Sequence, residues 1–501
     1  MVLARFSPTD AGAAFKSWTV VTTVAWVTVG LCLALMVVRV ASAVSLQQPL
    51  LAITSGAEEE VLLSLWRAAV SQDVYTDPFT IPFTASYYNW LFYALYGMLP
   101  GKLLGSVGLS WDWLPTVGRL ISLALTSVGS LLAWRALSLV GKGAASRLSL
   151  VLALYVFFGP LIGFWAIALH PELPAMVITV GACLVILRHH GPLPITTVIV
   201  VSLLSLAAWS LKQSHVFLGG TLFLFLIWQK NWRGVATCLV VHGLGIYLTF
   251  VLGGAIYLKM MFFSGTDVTF GIEQLAHNLL NGVAKTLPVL SIIVVGLASL
   301  SIRCLTEPGV RLGLLGSGVS LLLSVPASAK IGASESYYFV PCWFLSLFAI
   351  ALLARQSGKL RWPSLATIIA GWGVTAILVS TVLTGHAGVR SVREWHDRNV
   401  AERACIRNLP GPLLSLASLY HPLPWMTAAE PRYLRSYNYL ADRRAGRAFE
   451  AGGIGGLIAA GYFTTLVTVK GVNPAWDGAE FLPKYRLSHD CAGLEIWTRR
   501  P

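Results

Sequence analysis

The chain has 501 residues, of which 56% are hydrophobic and only 12% are charged, and its formal net charge is +14. Soluble domains carry about twice this share of charged residues, so the composition excludes an ordinary soluble globular protein. Apolar stretches of about 20 residues, the length that a helix needs to cross a bilayer, recur from Trp18 to Thr384. They are too long and too continuous for the alternating strands of a membrane barrel. We therefore expect an all-α polytopic membrane domain.

Eleven apolar stretches follow one another along the chain, and each predicts one transmembrane helix. The first is too long for the apolar region of a signal peptide, and no clear cleavage site follows it, so we expect a retained helix. The predicted spans lie near residues 18–42, 115–139, 147–168, 171–188, 194–211, 214–229, 234–258, 286–303, 312–327, 337–354 and 363–385.

The distribution of charge predicts the orientation of these spans. Lysine and arginine are enriched in short cytoplasmic loops. One set of connecting segments contains 13 Lys and Arg residues and two carboxylates, whereas the opposite set contains eight and ten. The N-terminus is therefore expected in the cytoplasm and the C-terminus outside. This asymmetry also argues against nucleic-acid binding as the reason for the net charge, and it predicts that chemistry needing a carboxylate occurs on the extracytoplasmic face.

The first two predicted spans are separated by a long outer loop, residues 43–114. This loop begins with an amphipathic helical pattern near residues 58–70. An aromatic segment follows at Tyr87–Tyr93, and such rings favour the membrane interface. We assign the loop to a membrane domain of residues 1–385, and residues 386–501 to an extracytoplasmic C-terminal domain.

The C-terminal domain is expected to be a small α/β domain. Its predicted helix lies at Arg432–Phe449, and strand-like patterns lie at Leu413–Leu419, Tyr462–Lys470 and Ala492–Thr498.

Two cysteines, Cys405 and Cys491, lie in this C-terminal domain, and the other five lie in predicted spans or at their ends. Disulfides persist in oxidising compartments, and the predicted topology puts this domain in one. Cysteine geometry cannot be read from sequence, so a bridge and two unpaired thiols both remain open.

An acidic cluster, Glu58-Glu59-Glu60, opens the predicted loop helix. Consecutive residues on a helix point in directions about 100° apart, so one or two of these carboxylates can face the membrane domain. The structural alternative is a charged first turn that complements the helix dipole, with Ser55 and Gly56 as caps. The choice among the three acids as a general base stays open.

Further polar residues lie at predicted outer ends of the spans. Each alone has an ordinary explanation, as a solvated turn residue or as a basic residue that reaches to the interface. Together they supply cations and carboxylates on one membrane face, which is the mixture that phosphate recognition beside a general base requires. They are Arg119, His170-Pro171-Glu172, Lys212-Gln213-Ser214-His215, and the segment from Lys330 through Glu335 to Tyr338.

The order of these motifs resembles the GT-C superfamily of integral-membrane glycosyltransferases. The similarity is greatest to the branch of protein mannosyltransferases and lipid-A and core-sugar transferases. This sequence departs from the family's pattern at three places. It has Glu where the family's loop and second acidic motif usually have Asp, and it has Ser336 near the position of a usual Asn. The matching segments are Glu58-Glu59-Glu60, Trp66-Arg67-Ala68-Ala69, Val74-Tyr75-Thr76-Asp77-Pro78, His170-Pro171-Glu172, Lys212-Gln213 and Lys330–Tyr338.

The resemblance implies a transferase that moves a sugar from a polyprenyl-phosphate donor to an acceptor hydroxyl. An outer-loop carboxylate would deprotonate that hydroxyl, and basic residues would stabilise the leaving lipid phosphate. The implied catalytic residues are Glu58, Glu59 and Glu172. The implied substrate-binding residues are Lys212, Gln213, His215, Lys330, Glu335, Tyr338, Arg119, His170 and Asp77.

No zinc site and no cofactor are expected, because no Cys/His spacing indicates zinc and no nucleotide-binding motif occurs. Dependence on a divalent metal stays open. The expected partners are the lipid-linked donor, a glycan, lipid or protein acceptor, and the bilayer, here a bacterial plasma membrane. The alternative function is a transporter or lipid flippase. Transporters often show inverted repeats and key charges at the membrane midplane, and neither feature is evident in the sequence.

Overall fold

The structure is a computed structural model. It describes residues 8–45, 57–84, 86–141, 144–264, 270–297, 305–330, 332–355, 400–402, 404–416, 432–434, 437–471 and 473–501.

Helices dominate the first 355 residues. The helices of this part are α1 (Pro8–Ser45), α2 (Ala57–Ala69), α3 (Trp90–Tyr93), α4 (Leu99–Val107), α5 (Leu114–Val140), α6 (Ala144–Phe158), α7 (Glu172–Leu187), α8 (Ile195–Trp209), α9 (Phe217–Trp228), α10 (Trp232–Phe262), α11 (Ile272–Leu297), α12 (Pro308–Ala327) and α13 (Phe339–Leu353).

Ten of the eleven predicted spans fall on one of these helices, and the eleventh, residues 363–385, lies outside the described residues. Within the described part, five helical stretches are long and apolar enough to cross a bilayer: Ala25–Ser45, Trp111–Val140, Trp232–Phe262, Pro308–Ala327 and Glu335–Leu353. Four shorter apolar helices accompany them, at Leu148–Phe158, Glu172–Leu187, Ile195–Trp209 and Phe217–Trp228. The count of eleven spans stays a prediction.

The third predicted span, residues 147–168, is not one continuous helix. Helix α6 ends at Phe158, and a short 3-10 helix, Gly163–Ile167, follows after a turn. Gly159 and Pro160 explain the break, because proline has no amide hydrogen to continue a helix. Gly163 then adopts a φ of +47°, which glycine tolerates best.

The chain divides into two compact units. The helical unit comprises residues 1–41, 122–246 and 269–386. The loop–tail unit comprises residues 42–121, 247–268 and 387–501. Sequence analysis placed the outer loop with the membrane domain. The compact units instead group the loop with the tail, and the predicted domain division stays a prediction.

In the loop–tail unit, helix α2 buries its apolar face, Val61–Leu65, against the α3–α4 segment. Two glycines allow this close approach. A Cβ on Gly97 would lie 2.7 Å from the Leu65 carbonyl oxygen, and one on Gly101 would lie 2.6 Å from the Ala69 carbonyl oxygen.

The aromatic segment Tyr87–Tyr93 is mostly packed inside this unit. Phe92 and Tyr93 are buried, whereas Trp90 is 47% exposed. The rings of Tyr75, Tyr93 and Tyr257 meet edge to face, with centroids 4.9 and 5.8 Å apart. The expectation that the whole segment lies at the membrane interface therefore fits Trp90 and not the buried rings.

The tail contains a five-stranded sheet of order β2-β1-β3-β7-β6, in which β1 is parallel to β2 and β3, and β7 is antiparallel to β3 and β6. Its strands are β1 (Leu413–Ser415), β2 (Arg432–Leu434), β3 (Thr465–Val469), β6 (Tyr485–Cys491) and β7 (Leu494–Arg499), with a separate β4–β5 hairpin at Ala475–Trp476 and Ala479–Glu480. Helices α14 (Tyr437–Arg444) and α15 (Gly453–Ala459) complete it.

Two details of the tail differ from the sequence-based expectation. Residues Arg432–Leu434 form strand β2 and not the start of a helix, because they pair with β1. Strand β6 was missed because most of its residues are exposed and polar, so it has no apolar alternation. A disulfide joins Cys405 and Cys491, whose Cα atoms lie 5.9 Å apart, which answers the question that the sequence left open.

The loop contributes to the apolar core of the tail. Phe83 is buried with Tyr439 and Phe449, at ring-centroid distances of 5.8 and 5.7 Å. The Ile81 amide donates a hydrogen bond to the Glu450 carboxylate at 2.8 Å. The loop end and the tail therefore share one core within the loop–tail unit.

The glycine contact beneath α2 gives the first prediction. Gly101→Ala should lower the free energy of unfolding by about 1–3 kcal/mol, because the new methyl group meets the backbone of α2. Gly105→Ala is the matched control on the same helix, since nothing lies within 4 Å of its Cβ position. Denaturant unfolding of the purified protein measures both. Equal midpoints for the two variants would contradict the packing.

Candidate active site

The first candidate group is a buried ion pair in the loop–tail unit. Glu58, in the first turn of α2, accepts a hydrogen bond from Arg119 Nη2 at 2.8 Å. Glu58 is 2% exposed and Arg119 is fully buried. Both residues were predicted as site residues, but Arg119 was predicted to face a phosphate and the structure pairs it with the predicted base.

Burial makes this pair energetically demanding. Taking two charges out of water costs several kcal/mol each, and only a close, well-oriented partner offsets the cost. A guanidinium also fixes the direction of the carboxylate that it binds. The pair therefore holds Glu58 in a defined position at the start of α2.

Of the three consecutive acids, the structure gives a side-chain environment for Glu58. Glu59 and Glu60 lie in the backbone of α2, and their side chains are outside the described part. Glu58 is thus the acid of the cluster whose side chain is seen buried and paired with a charged partner. The catalytic assignment of Glu59 stays a prediction.

Asp77 has an anchoring role in the same unit. Its carboxylate accepts hydrogen bonds from Lys259 Nζ at 2.5 Å and from the Phe79 amide at 3.0 Å. Partial burial acts to raise the pKa of Asp77, but these two hydrogen bonds outweigh it and the pKa is lowered. Lys259 also lies 4.9 Å from the centroid of the Phe79 ring. These contacts tie the loop to helix α10, and binding of substrate by Asp77 stays a prediction.

Arg67 links two parts of the outer loop, around Thr76 and Thr84. Its Nη1 donates to the hydroxyl oxygens of Thr84 at 2.8 Å and Thr76 at 3.3 Å. The arginine of the Trp-Arg motif therefore stabilises the local structure of the loop.

The second candidate group lies in the helical unit, around Glu172 at the start of α7. One carboxylate oxygen of Glu172 contacts Lys212 Nζ and the other contacts His170 Nδ1. Glu172 is 2% exposed. Lys212 also lies 4.6 Å from the centroid of the Tyr337 ring. Glu172, Lys212 and His170 are all predicted site residues, and the structure brings them together.

Residues beside this cluster complete it. His215 is buried in the turn between α8 and α9, and its ring packs edge to face on Phe217. Gln213, next to Lys212, is half-buried. Two predicted substrate-binding residues, His170 and Lys212, therefore contact Glu172, and two more, Gln213 and His215, follow Lys212 in the sequence.

A third group surrounds Glu335 in the same unit. Its carboxylate accepts a hydrogen bond from Lys285 Nζ at 2.6 Å. The Tyr155 hydroxyl donates to the Lys285 carbonyl oxygen at 2.5 Å, and the hydroxyl groups of Tyr338 and Ser328 lie 2.9 Å apart. Lys285 is not among the predicted site residues. The sequence places it in an outer segment but contains no motif that marks it as a partner of Glu335.

Lys330 differs from the other predicted cations. It is half-buried, and its ammonium group makes no ion pair with any residue that the structure describes. No group of three or more His, Cys, Asp or Glu side chains in the described ranges could hold a metal ion.

One of three comparisons with known proteins found a similar fold. No protein-family model and no curated protein sequence matches this chain. Among solved structures, ArnT from Cupriavidus metallidurans bound to undecaprenyl phosphate is similar, with a TM-score of 0.57 and 13% sequence identity, over 94% of this chain and 97% of that chain.

This likeness shows that the chain shares the fold of ArnT, in agreement with the fold that the sequence resemblance implies. Together with the apolar helices, it identifies the chain as an integral membrane protein. At this identity, a shared fold does not by itself assign an activity, which must be argued from the site.

The buried pair predicts strong coupling between its two members. Arg119→Gln should lower the free energy of unfolding by about 3–5 kcal/mol, because it leaves the Glu58 carboxylate buried without its partner. The double variant Glu58→Gln/Arg119→Gln should lose less than the sum of the single variants, as a double-mutant cycle by denaturant unfolding would reveal.

The matched control is an exposed pair in the tail, Lys470 with Asp490, whose nitrogen and oxygen lie 2.5 Å apart. Its double-mutant cycle should show little coupling, since solvent screens the two charges. Additive effects at Glu58 and Arg119 would show that the pair does not form.

Proposed function

We propose that this protein is a membrane glycosyltransferase that moves a sugar from a polyprenyl-phosphate donor to an acceptor hydroxyl on the extracytoplasmic face. The observation that carries the proposal is the buried Glu58 carboxylate, held by Arg119 at the start of the loop helix. The fold likeness, over 94% of the chain, to a protein that was solved with undecaprenyl phosphate bound supports it. The buried Glu58–Arg119 pair and the Glu172 cluster supply the chemistry that the fold alone leaves open.

Glu58 is the proposed general base. It accepts the proton of the acceptor hydroxyl, and the freed oxygen attacks C1 of the donor sugar. The bond between C1 and the phosphate oxygen breaks, and the lipid monophosphate leaves with the bonding electron pair. Direct displacement inverts the configuration at C1. Arg119 positions the Glu58 carboxylate, since a base must lie within hydrogen-bond reach of the proton that it removes.

Lys212 is the proposed cation for the leaving phosphate, with Lys330 as a second. A fixed positive charge near the developing phosphate charge lowers the barrier, and it acts most strongly where water is excluded. Each carboxylate oxygen of Glu172 contacts a basic side chain. This arrangement supports a positioning role for Glu172, which holds Lys212 and His170, better than the role of a second base.

Two observations support an extracytoplasmic reaction. The loop that carries Glu58 lies on the acid-rich side in the charge analysis. The disulfide between Cys405 and Cys491 is of the kind that persists in oxidising compartments. The loop and the tail belong to one compact unit, so both observations concern the same part of the protein.

A transporter or flippase is less well supported. Such a protein would move a lipid-linked sugar without breaking a bond, and it would have no need of a buried base. The Glu58 carboxylate at the start of a loop helix, with a dedicated guanidinium partner, favours bond-breaking chemistry.

The catalytic role of Glu58 predicts a selective loss of activity. Glu58→Gln keeps the side-chain volume and removes the base, so the transfer rate should fall at least about a hundredfold, the lower range for general-base catalysis. Binding of the donor lipid should change little. Glu480→Gln, an exposed acid in the tail, is the control and should keep the wild-type rate. A well-folded Glu58→Gln protein with a wild-type transfer rate would refute the assignment.

The proposed orientation predicts a labelling pattern. Ser488 in strand β6 and His190 after helix α7 are both exposed. A cysteine at Ser488 should react with an impermeant thiol reagent in intact cells, whereas one at His190 should react only after the membrane is opened. The unsubstituted protein gives the background, because its four described free cysteines are buried. The reverse pattern would place the proposed chemistry on the cytoplasmic face.

A further inference from the structure

A buried guanidinium in the first helix is not explained by the contacts around it. Arg39 of α1 is 5% exposed. Its Nη2 donates a hydrogen bond to the Gly163 carbonyl oxygen at 2.6 Å, and its Cζ lies 5.6 Å from the centroid of the Phe158 ring. Among the described residues no carboxylate pairs with Arg39, and its Nη1 has no hydrogen-bond partner.

These contacts do not neutralise the charge. A carbonyl oxygen and a ring face supply partial negative charge, and an aromatic ring contributes about 0.5–2 kcal/mol to a nearby cation. Burying an ion costs several kcal/mol unless a counter-charge accompanies it. An ionisable residue that sits inside a membrane helix without a counter-ion is therefore a functional hypothesis.

A second donor without a partner lies two residues beyond Gly163. The indole Nε1 of Trp165, which is 5% exposed, has no hydrogen-bond partner among the described residues. Indole can only donate. Arg39 and Trp165 are thus linked through the Gly163–Ile167 helix, and each has a buried N–H group that lacks an acceptor.

The backbone at Gly163, which accepts the Arg39 hydrogen bond, leaves open space at its own Cβ position. Its φ of +47° is strained for other residues, and nothing lies within 4 Å of the position that a Cβ would take. The Trp165 ring also packs against His170, with centroids 4.5 Å apart, and His170 contacts Glu172. The two donors are therefore continuous with the Glu172 cluster of the helical unit.

We propose that Arg39 and Trp165 bind the phosphate group of a lipid. Phosphate supplies the two things that the site lacks, a negative charge and acceptor oxygens, and a guanidinium binds it by charge-assisted hydrogen bonds. The lipid has two possible sources, a polyprenyl phosphate or a bilayer phospholipid. The polyprenyl source rests on the proposed function, and the phosphate site itself does not.

The test is lipid binding by the full-length protein in nanodiscs of phosphatidylcholine, with undecaprenyl phosphate as the first probe and phosphatidylglycerol as the second. Native mass spectrometry counts the bound lipids. Arg39→Gln and Trp165→Phe should each weaken binding of a probe about tenfold or more, the usual effect of losing a hydrogen bond to a charged group. Trp165→Phe keeps an aromatic ring against His170, so it should preserve the fold.

Two substitutions in the helical unit serve as matched controls. Arg311→Gln removes a guanidinium that also lies over aromatic rings, at 5.4 Å from Trp228, and donates to backbone carbonyl groups. Trp343→Phe removes a buried indole whose Nε1 already has a partner, the Cys183 sulfur at 3.5 Å. Both should bind the probes like the unsubstituted protein.

The two probes separate the sources. Loss of undecaprenyl phosphate alone identifies the carrier lipid as the occupant, and equal loss of both probes identifies a general phospholipid site. Wild-type binding of both probes by a well-folded Trp165→Phe variant and by Arg39→Gln would overturn the proposal. Because binding is measured without sugar transfer, an inactive protein that still loses lipid in these variants would refute the transferase and keep the site.

Discussion

The buried pair of Glu58 and Arg119 is the interaction on which the functional interpretation depends. Neither charge could remain in a dry site without the other, since an unpaired buried ion costs several kcal/mol. The pair joins the start of α2 to helix α5. Helix α2 in turn packs on the α3–α4 segment through Gly97 and Gly101, where any larger residue would strike its backbone.

The same principle applies to other charged groups in each of the two units. Glu172 is held between Lys212 and His170, Glu335 binds Lys285, and Asp77 binds Lys259. His170 and Glu172 are neighbours in sequence, whereas the three pairs with lysine join residues 40, 50 and 182 positions apart. Ion pairs here therefore do two things at once: they fix helix ends and turns, and they leave defined charges at the start of α7 and α2. Arg39 is the exception among the described buried cations, which is why its environment indicates an external anion.

Much of the helical architecture could be predicted, because a long, continuous apolar segment satisfies its backbone hydrogen bonds in a bilayer by forming a helix. The break after Phe158 was missed, since Gly159 and Pro160 lie within a run whose hydropathy stays high. Strand β6 was missed because its polar residues form an edge that only pairing with β7 reveals. The union of loop and tail was also hidden. It depends on Phe83 meeting Tyr439 and Phe449 across more than 350 residues, which no local pattern encodes.

The site residues show the same division. Polar residues at the ends of apolar helices are rare and conspicuous, so motif order predicted Glu172, Lys212, His170 and the acidic cluster Glu58-Glu59-Glu60, without choosing among its three acids. Their roles in a site stay predictions. The pairing of Glu58, Glu335 and Asp77 was not predictable. Arg119 was expected to face a phosphate and is bound to Glu58, while Lys285 and Lys259 carried no signal of their own. Trp165 looked like one more apolar residue in a span, and only its burial and its unpartnered indole nitrogen distinguish it.

The central claim is that the protein breaks the bond between a sugar and a lipid phosphate and does not merely move the intact lipid. The most direct measurement follows one polyprenyl-phosphate sugar in proteoliposomes, with mass spectrometry of the lipid and nuclear magnetic resonance of the sugar product. We predict release of free polyprenyl monophosphate in proportion to a glycosylated acceptor whose C1 configuration is inverted. Intact lipid-linked sugar that only changes leaflet, with no free monophosphate, would contradict the claim.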